Sequence, residues 1–209
     1  RDNTQGDFQG NTIIKEGTLG ITSQNNLAEG KLFLDGGDLR TNASLSFDKE
    51  IIVNSTGGID TALDALGNKT EVTVSSKIQG NGGFVKSGEG TLTLLADNAY
   101  AGGTQVKGGT LLVSQDSNLG LSSTSIELDG GTVKLNAADS VDFKTKDNAQ
   151  DIDDADARIL SIGSGGGTLD IAGLDVAIET ALTGKGTLTQ KGKDSILTLT
   201  ANNTALEGG

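Results

Sequence analysis

Apolar residues recur at every second position in short runs, as in Glu71-Val72-Thr73-Val74, Thr91-Leu92-Thr93-Leu94 and Ser125-Ile126-Glu127-Leu128. A period of two over so few residues predicts short strands with one buried side, not helices. The runs stand beside glycine steps: Gly17-Thr18-Leu19, Gly36-Gly37-Asp38-Leu39, Gly57-Gly58-Ile59, Gly82-Gly83-Phe84, Gly109-Thr110-Leu111, Gly131-Thr132-Val133, Gly167-Thr168-Leu169 and Gly186-Thr187-Leu188. Most steps follow one another too closely for repeats of paired helices. Each interval is therefore expected to be one turn of a β-solenoid, with glycine at the corners and aliphatic side chains stacked in inward columns. Leu19, Leu92, Leu94, Leu111, Val113, Val133 and Leu169 are assigned to those columns from their place beside the glycines.

A longer repeat is superimposed on the short one. Phe8 to Leu19 (FQGNTIIKEGTL) returns without a gap as Tyr100 to Leu111 (YAGGTQVKGGTL), 92 positions later. Phe33-Leu34-Asp35-Gly36-Gly37 is echoed by Glu127-Leu128-Asp129-Gly130-Gly131, and Gly80 through Leu94 more loosely by Gly184 through Leu199. Long repeats imply stacked units and an extended surface in place of one closed core. The chain divides into repeat 1, residues 1–99, and repeat 2, residues 100–209. Its first and last residues fall in nearly the same repeat phase, as expected of a segment cut from a longer protein. The expected fold is all-β: a right-handed, single-stranded parallel β-helix of about 9–10 coils.

The two repeats differ most near 143–158, where repeat 2 gains an insertion between Phe143 and the next glycine cluster. The insert carries Asp147, Asp151, Asp153, Asp154 and Asp156. Insertions in a solenoid map to loops that leave the rod. A solvated loop, a partner-binding loop and a calcium loop all suit several carboxylates, although the spacing matches no EF-hand. A smaller interruption, Asp60 to Gly67, is compatible with a helical turn or a second loop. Gly163 to Gly167 is read as a corner, since it lacks the Lys-Ser/Thr of a phosphate-binding loop.

Charge and composition narrow the chemistry. Among 209 residues there are 32 Gly, no Pro, no Cys, no His, one Tyr and five Phe, with a formal net charge of -12. That charge, with no basic patch, argues against nucleic acid as a partner. No run approaches the length of a membrane-spanning helix, so no direct membrane insertion by this segment is expected. Without His or Cys there is no Ser-His-Asp triad, no cysteine nucleophile and no zinc site of the usual kind. No catalytic, metal or cofactor site is assigned.

Gly80 to Val113 (GNGGFVKSGEGTLTLLADNAYAGGTQVKGGTLLV) resembles the autotransporter-associated β-strand repeat through Lys86, Gly88, Gly90-Thr91-Leu92-Thr93-Leu94, Asn98, Tyr100, Gly102-Gly103-Thr104 and Gly109-Thr110-Leu111. The resemblance covers about a sixth of the chain, with partial copies at Phe8 to Leu19 and Gly184 to Thr204. It implies a passenger segment of a Gram-negative type V secretion protein, displayed at the cell surface or released after export through the outer membrane. The expected role is non-catalytic, in adhesion or self-association at the bacterial surface, with a host-cell receptor or another copy of the chain as partner and no cofactor. A secreted effector that binds a host receptor, and the stalk of a serine protease whose catalytic domain lies elsewhere, are the alternatives.

Overall fold

The computed structural model describes residues 8–136, 158–171, 173–178, 182–200 and 203. Within them the alternating runs form 22 strands of two to five residues. Face A stacks β1 (Thr12–Ile14), β3 (Leu32–Leu34), β6 (Ile51–Val53), β9 (Ile78–Gly80) and β12 (Ala99–Tyr100). Face B stacks β2 (Thr18–Ile21), β4 (Asp38–Thr41), β7 (Gly57–Thr61), β10 (Phe84–Ser87), β13 (Thr104–Val106), β15 (Ile126–Leu128), β17 (Leu160–Ile162) and β20 (Thr183–Gly184). Face C stacks β5 (Leu45–Phe47), β8 (Glu71–Val74), β11 (Thr91–Leu94), β14 (Thr110–Val113), β16 (Thr132–Leu135), β18 (Gly167–Asp170) and β21 (Leu188–Lys191). β19 (Val176–Ile178) and β22 (Leu197–Leu199) pair with each other. Every pairing between these strands is parallel, so the chain is a β-solenoid.

Face B counts eight turns among the described residues, fewer than the nine or ten expected from a uniform turn. Thr12 lies against Leu32 and Leu32 against Ile51, which are turns of the expected length. Ile51, however, lies against Ile78, and Ile126 against Leu160. Those two turns are markedly longer, and in the first the added residues form an excursion between strands. This excursion is a loop, not a helical turn. Leu63 and Lys69 form an antiparallel bridge, and the Asp64 carboxylate accepts from the Leu66 and Asn68 amides at 2.8 Å each.

Inward columns fill the interior. On face C, Leu45, Val72, Leu92, Leu111, Val133 and Leu169 stand in register, as do Phe47, Val74 and Leu94 beside them. Six of the seven residues assigned to the core are buried; Leu19 is 38% exposed. Its phase is nevertheless right, since it pairs with buried Leu39, but among the described residues no turn covers it from below. At about 25 cal/mol per Å² of apolar surface removed from water, these columns are the main source of stability.

The long repeat does not come back to the face on which it began. β1 and β2 lie on faces A and B, whereas their counterparts β13 and β14 lie on faces B and C. The single-turn 3₁₀ helix Gln24–Asn26 follows β2 just as Asp116–Leu119 follows β14, and β3 and β4 on faces A and B correspond to β15 and β16 on faces B and C. One long repeat is thus four turns plus one face.

Candidate functional surface

A rod of stacked turns has no central cleft, so its chemistry resides in corners and lateral faces. One buried polar cluster lies where the quoted repeat runs from face B through face C to face A. Lys86 stands in the inward column between Ile59 and Val106 with no exposed surface. Its Nζ donates to the carbonyls of Ser87, Gly88 and Gly108 at 2.7, 3.1 and 3.0 Å, three acceptors for three ammonium hydrogens. Burial pulls its pKa down to about 8, partly offset by the Asp60 carboxylate.

Tyr100 is fully buried, its ring centroid 5.6 Å from that of Phe84. Tyr100 is in register with Gly80, and a β-carbon on Gly120 would lie 2.6 Å from Tyr100 Cε2, so glycine at 120 makes room for the ring. The Tyr100 hydroxyl donates to Thr104 Oγ1 at 2.6 Å, and Thr104 in turn donates to the Leu119 carbonyl. Burial raises the Tyr100 pKa strongly. Phe8, in the same repeat phase, is 55% exposed.

Two asparagines tie successive turns together. The Ile78 amide donates to Asn98 Oδ1 at 2.8 Å, and Asn98 Nδ2 donates to the Asn118 carbonyl at 2.6 Å. Asn118 Oδ1 accepts from the Ser114 and Gln115 amides, and its Nδ2 donates to the Ala96 carbonyl. Asn26 Oδ1 accepts from the Thr22 and Ser23 amides in the earlier repeat, and Asn203 Oδ1 accepts from the Leu182 amide as Asn98 does from Ile78.

The five candidate residues of the acidic insert, Asp147, Asp151, Asp153, Asp154 and Asp156, lie outside the described residues. Arg158, at the end of the range 143–158 given for that insert, is 2% exposed. It grips the Asp116 carboxylate through Nε at 2.6 Å and Nη2 at 2.9 Å, and donates to the carbonyls of Leu119, Gly120 and Leu121. Sequence reasoning missed both buried cations. For Lys86 the signal was its spacing, two residues after inward Phe84; for Arg158 no local pattern exists, because Asp116 is 42 residues away.

The lateral faces differ in character. Face C presents an outward row of Thr91, Thr110, Thr132, Thr168 and Thr189 in register. Face B is polar, with Arg40 and Asp60 paired at 2.7 Å and Gln105 donating to Glu127 at 2.7 Å. Face A carries Ile13, Phe33 and Ile52 outward in one contiguous column. The described residues hold no group of three or more His, Cys, Asp or Glu placed to share a metal ion.

A model of the passenger-associated-transport-repeat matches residues 84–113, β10 to β14, which contain Lys86, Asn98 and Tyr100. The chain is also 35% identical over 127 residues, 60% of its length, to the adhesin BmaC autotransporter of Brucella suis biovar 1 (strain 1330). It spans about 3% of the length of that relative. No solved structure matches the chain significantly. The repeat, the likeness to an autotransporter adhesin and the parallel solenoid that carries both support an autotransporter passenger with repeats, a class displayed at the cell surface or secreted through the outer membrane.

Proposed function

We propose that the chain is a non-catalytic adhesive stretch of its passenger, which meets host cells or neighbouring copies through its lateral faces and loops. The observation that carries this reading is the similarity, over more than half of the chain, to a protein named as an adhesin. The residue inventory supports it: with no His and no Cys in the sequence, the familiar triads and thiol nucleophiles have no members here. A rigid rod of short strands suits contact work, because outward side chains change without disturbing the inward columns.

A host contact is expected to be one-to-one and to depend on the acidic insert, whose five aspartates are the candidate partner-binding residues. The test is binding of the purified 209-residue chain to host cells, beside a variant with Asp147, Asp151, Asp153, Asp154 and Asp156 changed to Asn. Saturable binding by the parent, weakened in the variant, is the expected result. A parent chain that binds no host cell and forms no contact with its own copies is a spacer, and hydrolysis of a peptide or glycan by the pure chain contradicts the non-catalytic reading.

A further inference from the structure

We infer that face A pairs weakly, side by side and in parallel, with face A of a second copy of this chain; the inference rests on the adhesive reading and names one partner for it. On faces B and C the described outward strand positions each carry one apolar side chain larger than alanine, Val85 and Leu112. Face A instead stacks three on consecutive turns: Ile13 against Phe33 and Phe33 against Ile52. Ile13 is 53% exposed, and Phe33 and Ile52 are half-buried. Outward apolar side chains stacked in unbroken sequence on consecutive turns mark a contact surface.

The charges beside this column select a second copy as the occupant. The row before the strands holds Lys31, Glu50 and Lys77, one turn apart, with Lys31 and Glu50 bonded at 2.8 Å within the chain. The row after the strands holds Lys15, Asp35 and Asn54 on consecutive turns. A two-fold axis along the rod lays each copy's leading row over the other's trailing row, turn for turn. Lys31 then faces Asp35 of the second copy twice over, once from each side. Glu50 faces Asn54 of the second copy, Lys77 faces Asn81 and Lys15 faces Asn11, so no like charges are opposed. In the middle, Ile13, Phe33 and Ile52 each meet their own equivalent. Such an isologous contact needs one self-complementary patch, and facing sheets about 10 Å apart lie within reach of Lys and Asp side chains.

The patch is about five turns tall and five residues wide, on the order of 400 Å² per copy, half the size of a standard stable interface. A dissociation constant on the order of 10⁻⁴ M or weaker follows. Neighbouring passengers anchored on one surface meet in parallel, where tethering raises the effective concentration. The net charge of -12 opposes approach at low salt, so screening is expected to strengthen the pairing while its apolar centre persists.

Sedimentation equilibrium of the 209-residue chain near millimolar concentration provides the test, with circular dichroism melts to confirm that each variant is folded. The parent is expected to dimerise, and Ile13→Glu, at an exposed position, to weaken it about tenfold or more. Lys31→Glu and Asp35→Lys are each expected to be monomeric, while their equimolar mixture dimerises again, because each restores the other's charge pair. Lys134→Glu, outward on face C and away from the patch, is expected to behave like the parent. A parent that stays monomeric overturns the pairing, as does a mixture that fails to recover. Loss in Glu50→Lys that is rescued by mixing with Lys31→Glu indicates an antiparallel contact and overturns the parallel one. Host-cell binding scored on the same preparations keeps the two readings apart: a monomeric chain that binds cells ends the pairing and leaves the adhesive function standing.

Discussion

Lys86 occupies a place that the alternation reserves for an aliphatic side chain, and it is tolerated there because three carbonyls at the corner between faces B and C take up its ammonium hydrogens. Its pKa near 8 lies below the ordinary 10.5, so from pH 8 to 10 the unfolded chain binds more protons than the folded one and stability rises with pH. Relative to a Lys86→Met variant, the parent is expected to gain about 2 to 3 kcal/mol between pH 7 and 10 in urea titrations. Above pH 10.5 the unfolded lysine is neutral as well and the difference levels off, while the buried neutral Tyr100 phenol, common to both proteins, lowers the stability of each as pH rises, since only the unfolded chain ionises freely. Arg158 is the second buried cation. Arg158→Ala strands the Asp116 carboxylate and is expected to cost about 3 to 5 kcal/mol, read as a drop in denaturation midpoint. The two cations were not equally legible: the position of Lys86 follows from counting in twos from Phe84, whereas the Arg158 partnership depends on turns stacked across the insert.

At the scale of strands and columns, the sequence carried most of the information. Alternation and glycine steps identify the inward residues of face C, and the buried Leu92, Leu94, Leu111, Val113, Val133 and Leu169 bear that out. What alternation cannot supply is the neighbour above and below, which is why Leu19 has the right phase and yet is exposed. Leu92, flanked in register by Val72 and Leu111, has both neighbours. Leu92→Ala is therefore expected to destabilise by about 2 to 5 kcal/mol, against about 0.5 kcal/mol for outward Thr93→Ala in the same strand. Equal effects in the two variants, measured by thermal or urea unfolding, contradict the strand phase. The asparagine ties were less legible, because Asn98 reads as one more loop residue until the turn below brings the Ile78 amide to it.

At the scale of the whole molecule, turn length was the quantity that the glycine spacing misjudged: the two long turns, from Ile51 to Ile78 and from Ile126 to Leu160, lower the count to eight. Deleting Asp147 to Asp156 while keeping Arg158 is expected to leave the circular dichroism spectrum β-rich and the melting temperature within a few degrees of the parent, on the expectation that insertions in a solenoid leave the rod. A chain that no longer folds after the deletion assigns the insert a structural role. The outward residues were legible as polar or apolar but not as surfaces, because a surface exists only when consecutive turns are brought into register. The turn count also changes the meaning of the long repeat. Since each copy begins four turns and one face after the last, a passenger that continues the pattern shows one motif on three compass bearings in succession and returns to the first after about thirteen turns. Such a fibre has no back: however it rolls against a target, one of its repeats is already facing it.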